Sequence, residues 1–240
     1  MTTDLRVAAG PRELAVEAAR EFARAAREAV AARDSFTVVL SGGETPKALF
    51  ALLAEDRSLP WDRTHVFFAD ERPVPPSHPD SNFGSAEAAL FSRLPVAPAS
   101  VHRLRGETVP PALAAAEYEA DLRKFFRLAA GAAPRFDLVL LGLGSDGHTA
   151  SLFPGVPPPA PGTLAAAPWV PRLGSFRLTL TPEALNGASE VVFLVSGEGK
   201  AEALRAARDD GAPASLPSKS IRPAHGRLLW LADRAAASRL

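Results

Sequence analysis

Asp146 and His148 stand two positions apart in Gly144-Ser145-Asp146-Gly147-His148-Thr149, a glycine-rich turn that follows the apolar run Leu138-Val139-Leu140-Leu141. A histidine beside a carboxylate on a loop has the parts of a general base, since imidazole exchanges a proton near neutral pH and the acid can orient it. The sequence leaves open whether Asp146 orients His148 or a substrate, and such a pair also occurs as ordinary loop structure. Asp146 and His148 could be half a metal site, but no H-E-x-x-H and no third ligand accompany them. The segment Gly142-Leu143-Gly144-Ser145-Asp146-Gly147 matches G-x-G-x-x-G, yet no acid follows until Glu183 and Pro154 interrupts early, which argues against a dinucleotide fingerprint. A serine-hydrolase elbow around Ser145 would need glycine where Leu143 stands.

A second candidate is Ser41-Gly42-Gly43-Glu44-Thr45-Pro46-Lys47, after the apolar run Phe36 to Leu40. Thr45 is expected as an N-cap and Pro46 as the first helical residue, so the turn would aim free N–H groups and the positive helix end at an anion. The same pattern also reads as a plain tight turn. It is not a P-loop, because G-x-x-x-x-G-K-[ST] is absent. Ser196-Gly197-Glu198-Gly199-Lys200 repeats the strand-glycine-helix junction with a lysine where the helix dipole disfavours a cation, which a bound anion would explain; a lysine on a solvated turn is the alternative. Asp70-Glu71-Arg72 follows a strand read at His65 to Ala69, at the same expected sheet edge. A charged surface turn would look alike.

The elements that must carry these loops alternate. A helix is expected over Pro11 to Arg33 with Leu14, Ala18, Phe22, Ala25 and Ala29 on one stripe, and its acidic residues argue against a transit peptide. Ser81 caps a helix to about Leu94, Pro110 to Leu128 forms another, and Pro95 to Pro111 connects them without a domain break. The proline-rich stretch 154–162 is expected to be irregular, as a flap. Phe176 to Leu180 reads as a strand, Thr181-Pro182-Glu183 opens a short helix closed by Gly187, and Glu190 to Val195 is a buried strand before a helix ending near Arg208. A last strand is expected at Leu228 to Leu231 and a terminal helix from Asp233 to Leu240. The pattern fits an α/β chain with a mostly parallel sheet and one domain over residues 1–240.

Composition sets limits on function. The chain's 47% hydrophobic content suits a full core, and its 27 basic against 27 acidic residues leave no net field for nucleic acid or an anionic membrane. With no cysteine there is no thiolate chemistry, and a reducing compartment, read as the cytoplasm, is expected. No apolar run is long enough for a membrane span.

Taken together, SGGETPKALF at 41–50, ADERPVPPSHPDSNFG at 69–84, LVLLGLGSDGHTASLFPG at 138–155, RLTLTPEALNGA at 177–188 and VVFLVSGEGKAEAL at 191–204 resemble the 6-phosphogluconolactonases, in the same order and over nearly the whole chain. That resemblance implies a Rossmann-like three-layer α/β/α fold related to the glucosamine-6-phosphate deaminases and isomerases. It implies hydrolysis of 6-phospho-D-glucono-1,5-lactone, with no cofactor, no metal and no obligatory protein partner. On this reading His148 is the base, Asp146 and Arg72 are catalytic neighbours, and Arg72 with backbone N–H groups receives the oxyanion. Ser41, Gly42, Gly43, Thr45, Arg177 and Lys200 are expected at the phosphate, and Asp70 and Asn82 at the rest of the substrate. The sister deaminases carry an acid shortly after the D-G-H motif, where this chain has Ala150-Ser151-Leu152-Phe153-Pro154-Gly155. A catalytically inert sugar-phosphate sensor is a further reading, and nothing in the chain resembles a DNA-binding element.

Overall fold

The computed structural model describes residues 2–94, 101–209, 211 and 215–240. In chain order it forms β1 (Thr2–Ala8), α1 (Pro11–Arg33), β2 (Phe36–Leu40), α2 (Glu44–Glu55), β3 (Thr64–Phe68), β4 (Asp70–Glu71), α3 (Asn82–Ala89) and α4 (Pro111–Phe125). There follow β5 (Leu138–Gly142), β6 (Ala165–Ala166), β7 (Trp169–Val170), β8 (Ser175–Phe176), β9 (Leu178–Leu180), α5 (Pro182–Asn186), β10 (Glu190–Val195), α6 (Ala201–Arg208) and β11 (Arg227–Asp233).

Six strands make one sheet in the order β1-β11-β10-β5-β2-β3, and every pairing in it is parallel. Successive strand residues point to opposite faces, so the wholly buried β2 and β10 require cover on both faces. Helices supply it: α1 lies against β1, β2 and β11 and also packs on α2. The stripe predicted for α1 is buried as expected, with Leu14, Ala18 and Phe22 no more than 1% exposed. One contiguous core joins these layers, from Phe22 and Trp61 through Phe67 and Phe136 to Phe193 and Trp230. The fold is α/β with a mostly parallel central sheet.

Parallel strands place all their carboxyl ends on one rim. Chain order runs outward from β2 to β3 on one side and from β5 through β10 to β11 on the other, so the direction of winding reverses between β2 and β5. Loops diverge there and leave a crevice, the place where open α/β sheets bind ligands. The loops after β2, β3, β5 and β10 all open onto it. The opposite rim is closed by charge instead. Glu190 and Arg227, which begin β10 and β11 in register, pair at 2.8 Å, and Arg24 ties Glu190 to Glu21. Burial opposes the charge on Glu21, but Arg24 and Arg6 outweigh it and hold its carboxyl below the ordinary value.

The structure corrects several expectations. Residues 2–8 add an edge strand not foreseen, because its alternating apolar residues are few. The segment from Asp233 to Leu240 is a series of turns, not a helix, since Asp233 ends β11 and turns its carboxylate inward. Asp233 accepts Ser196 Oγ at 2.6 Å, Gly197 N at 3.0 Å and Ala236 N at 2.8 Å, and so pins the loop after β10. The strand expected at Phe176 to Leu180 is split at Arg177 into β8 and β9. The helix expected to reach Leu94 ends at Ala89 and gives way to a 3-10 turn at Phe91–Arg93. The connection expected from Pro95 to Pro111 falls partly outside the described residues. Ser81 caps α3 as predicted, accepting from Gly84 N, and Thr181 caps α5 through Ala184 N. Among the described residues no helix is long and apolar enough to cross a membrane.

The donors around Asp233 hold its carboxyl below the ordinary carboxylate value, despite the opposing effect of burial. Its stabilising effect is therefore present above the unfolded value and lost as pH falls through the lower folded one. Asp233→Asn is expected to lose about 1–3 kcal/mol at pH 7, with the difference from wild type shrinking toward pH 3 in urea melts. A constant difference across that range would contradict the assigned charge.

Candidate active site

A cavity of about 410 Å³ occupies the crevice. Its walls include Ser41, Gly42, Gly43 and Thr45 after β2, Asp70, Arg72 and Asn82 after β3, Gly142, Gly144 and His148 after β5, and Ser196 and Lys200 after β10. Loops remote in sequence thus meet because strand order brings their strands together.

At one end, Gly43 caps α2 with φ of 107°, a backbone state that glycine adopts without strain, and no side chain caps the helix. Thr45 and Pro46 lie inside the first turn and not at the positions expected of them. The uncapped N–H groups of this 12-residue helix lie in the turn that walls the cavity, which Lys200 also lines. Gly42 is required by packing, because a Cβ there would lie 1.7 Å from Asn82 Oδ1. Ser41 Oγ donates to Leu140 O at 2.8 Å and ties the turn to β5.

The middle is walled by acids and a guanidinium. Asp70 accepts Ser151 Oγ at 2.7 Å and Asn82 Nδ2 at 3.2 Å. Burial raises its carboxyl above the ordinary value in spite of Ser151 and of the charges of Arg72 and His148. Arg72 donates Nη1 to Asn82 Oδ1 at 2.5 Å and to Asp80 O at 2.7 Å, so its fork is held at the cavity wall. Glu71 belongs to the scaffold. Its carboxylate accepts the N–H groups of Asn82 and Phe83 at 2.7 and 2.8 Å at the start of α3, and Ser81 Oγ at 3.0 Å. Asp70 and Glu71 form β4, which pairs antiparallel with β9.

On the loop after β5, His148 Nδ1 lies 2.6 Å from Asp146 Oδ1, which also accepts His148 N at 3.1 Å. A carboxylate at Nδ1 favours the tautomer that carries its proton there, leaving Nε2 as an acceptor. Burial disfavours the Asp146 charge, but the His148 contacts and Arg172 outweigh it and keep the carboxyl below the ordinary value. Arg172 pairs with Asp146 Oδ2 at 2.5 Å, and its guanidinium lies 4.6 Å from the centre of the Phe153 ring. That ring also touches the imidazole, centroid to centroid 4.6 Å. Gly144 makes the approach possible: a Cβ there would come within 1.9 Å of His148 Nδ1 and 2.6 Å of Asp146 Oδ1.

Of the residues singled out from sequence, Asp146 stands behind His148 and does not face the cavity, while Arg177 is not part of its wall. Arg177 donates Nη1 to Phe176 O at 2.8 Å, and burial together with nearby Arg72 lowers its pKa. Arg172, Ser151 and Asp233 were missed. Ser151 lies within the D-G-H-T-A-S run and was visible there; Arg172 sits in a stretch of unremarkable composition, and only the β7–β8 hairpin brings it to Asp146. The 154–162 stretch is irregular, as expected, but lines a separate apolar groove. Among the described residues no group of three His, Asp or Glu side chains is placed to hold a metal ion.

A family profile described as glucosamine-6-phosphate isomerases/6-phosphogluconolactonase matches residues 9–230. The chain belongs to this family. A protein named 6-phosphogluconolactonase from Synechocystis sp. is 42% identical over 89% of the chain and 88% of its own length. One named probable 6-phosphogluconolactonase 1 from Arabidopsis thaliana is 35% identical over 99% of the chain and 93% of its own. Among solved structures, a 6-phosphogluconolactonase from Trypanosoma brucei superposes with a TM-score of 0.90 at 26% identity, over 100% of this chain and 99% of that one. A monomeric glucosamine-6-phosphate deaminase, 20% identical with a TM-score of 0.80 over 100% of both chains, shares the fold. Family membership thus agrees with the Rossmann-like architecture read from the sheet.

Gly144→Ala is expected to lose about 1–3 kcal/mol in denaturant melts and to displace the His148 ring, seen as changed imidazole chemical shifts by NMR. A variant with wild-type stability and shifts would show that the ring does not approach this backbone so closely.

Proposed function

We propose that the chain hydrolyses 6-phospho-D-glucono-1,5-lactone to 6-phospho-D-gluconate, the second step of the oxidative pentose phosphate pathway, with His148 as general base. The observation that carries this reading is the shared cavity, in which an imidazole oriented by Asp146 and an uncapped helix end with Lys200 open onto one space. The names of the relatives support the substrate. Both the sister deaminase and the inert sensor have less support, since no acid follows the D-G-H motif as in the deaminases and a sensor needs no oriented base.

The steps follow from the groups present. The substrate phosphate sits on the N–H groups of Gly42, Gly43 and Thr45 and on Lys200, where helix dipole and ammonium both favour an anion. Asp70 and Asn82 take the sugar hydroxyls. Arg177, outside the cavity wall, adds positive charge beside Arg72. His148 Nε2 removes a proton from water as the water oxygen bonds to the lactone carbonyl carbon. Charge then develops on the carbonyl oxygen, where Arg72 and backbone N–H groups can donate to it. The C–O bond to the ring oxygen breaks, and His148 returns the proton to that oxygen, so the products are the hydroxyl and the acid, which ionises. Asp146 stabilises the imidazolium in between and Arg172 holds Asp146 in place. Holding the phosphate fixes the carbonyl, so much of the rate gain is positional. A cytoplasmic setting is proposed with it, from the cysteine-free composition.

Proton release from freshly prepared lactone should exceed the spontaneous rate. His148→Ala should remove about 10²–10⁴ of that gain while 6-phosphogluconate still binds by calorimetry; full activity in this variant would refute the base. Arg172→Gln is expected to lower kcat about tenfold with little change in KM, and Lys200→Ala to raise KM first. Wild-type protein that leaves the spontaneous rate unchanged would overturn the lactonase reading.

A further inference from the structure

A second cavity, about 290 Å³, lies between the end of α6, the 3-10 turn Pro217–Ser220 and the strands β1 and β11. Arg208, Lys219 and Arg222 line it over an apolar floor that includes Leu228 and Trp230, and no acid is among the described residues of its wall. Two buried polar atoms on this wall have no hydrogen-bond partner: Nη1 of Arg208 and Oγ of Ser218, a residue only 1% exposed. Burial lowers the pKa of Arg208, because removal from water disfavours the charged guanidinium.

A cation at the last turn of α6 is favoured by the helix dipole, which accounts for an arginine at 208. It does not account for a buried donor left empty-handed. Each unsatisfied buried polar group costs free energy, and two of them on one cavity are unusual in a native chain. The neighbouring cations are already engaged in part: Lys219 Nζ donates to Asp209 O at 2.7 Å and Arg222 Nε to Lys219 O at 3.1 Å. They add positive potential, while Arg208 and Ser218 supply the donors.

We infer that this cavity is a second anion site, distinct from the crevice, which takes a phosphate group through Arg208 and Ser218. Guanidinium offers donors only, so the ligand must accept, and a phosphate presents oxygens to both the fork and the hydroxyl. The volume exceeds what the ion alone fills, so a small phosphomonoester fits as well as inorganic phosphate. The site abuts the back of the catalytic loop, because Ser218 N donates to Gly147 O at 3.1 Å.

The test does not depend on the reaction proposed above. Crystals soaked in selenate, a phosphate mimic with an anomalous signal, should show a peak in contact with Arg208 and Ser218. Calorimetric titration of inorganic phosphate should find one fewer site in Arg208→Gln than in wild type, and affinity at that site about fivefold or more weaker in Ser218→Ala. Both variants should keep the wild-type melting temperature in phosphate-free buffer to within a few degrees. Tighter binding of glycerol 3-phosphate than of phosphate at this site would identify a metabolite as the ligand, and the reverse would identify the free ion. Selenate density confined to the crevice, or a phosphate titration unchanged by Arg208→Gln, would overturn the inference whatever the lactonase assay shows.

Discussion

The contact between His148 Nδ1 and Asp146 Oδ1 is the constraint on which the site depends. It favours the tautomer with the proton on Nδ1 and fixes which way the ring points. The contact is local in sequence, but its permission is not: the backbone at 144 must pass where a side chain would stand, and Arg172 must arrive from a distant hairpin. Asp146 therefore stays charged although partly buried, with its charge matched by the imidazole contact and by Arg172.

Three acids near the crevice show how burial and donors sort like groups into different roles. Glu71 has its carboxylate filled by N–H groups at the start of α3 and serves as a cap. Asp233 is filled likewise and pins the Ser196–Gly197 turn. Asp70 is buried with fewer donors and borders the cavity; burial raises its pKa, as it raises that of Glu71. The ion-pair cluster of Glu21, Arg24, Glu190 and Arg227 closes the opposite rim and faces no ligand space at the sheet's carboxyl ends.

The sheet explains why one cavity collects parts from four loops. Parallel pairing puts the ends of β2, β3, β5 and β10 on one rim, and the reversal of winding between β2 and β5 opens a gap there. The glycine turn that starts α2 and the His148 ring thereby line one cavity. The glycines at 42 and 144 allow walls to approach that would otherwise be held apart by Cβ atoms.

Sequence alone determined the strand cores, since apolar runs such as Phe36 to Leu40 and Glu190 to Val195 have a burial that their own composition dictates. It also determined the caps at Ser81 and Thr181, because an N-cap is a contact within one turn, and it singled out the D-G-H loop, whose His148 borders the crevice. Tertiary structure alone decided the rest. Thr45 looked like a cap, yet Gly43 starts α2. The turn residues after Asp233 looked helical, yet Asp233 is drawn to a neighbouring loop. Arg172 came to pair with Asp146 and Ser151 to bond Asp70, and Arg177 fell outside the cavity wall, through pairings of short strands that carry no periodic signal. Local patterns report contacts between near neighbours in the chain, whereas these partners are brought together by strand order, which no short stretch of residues encodes.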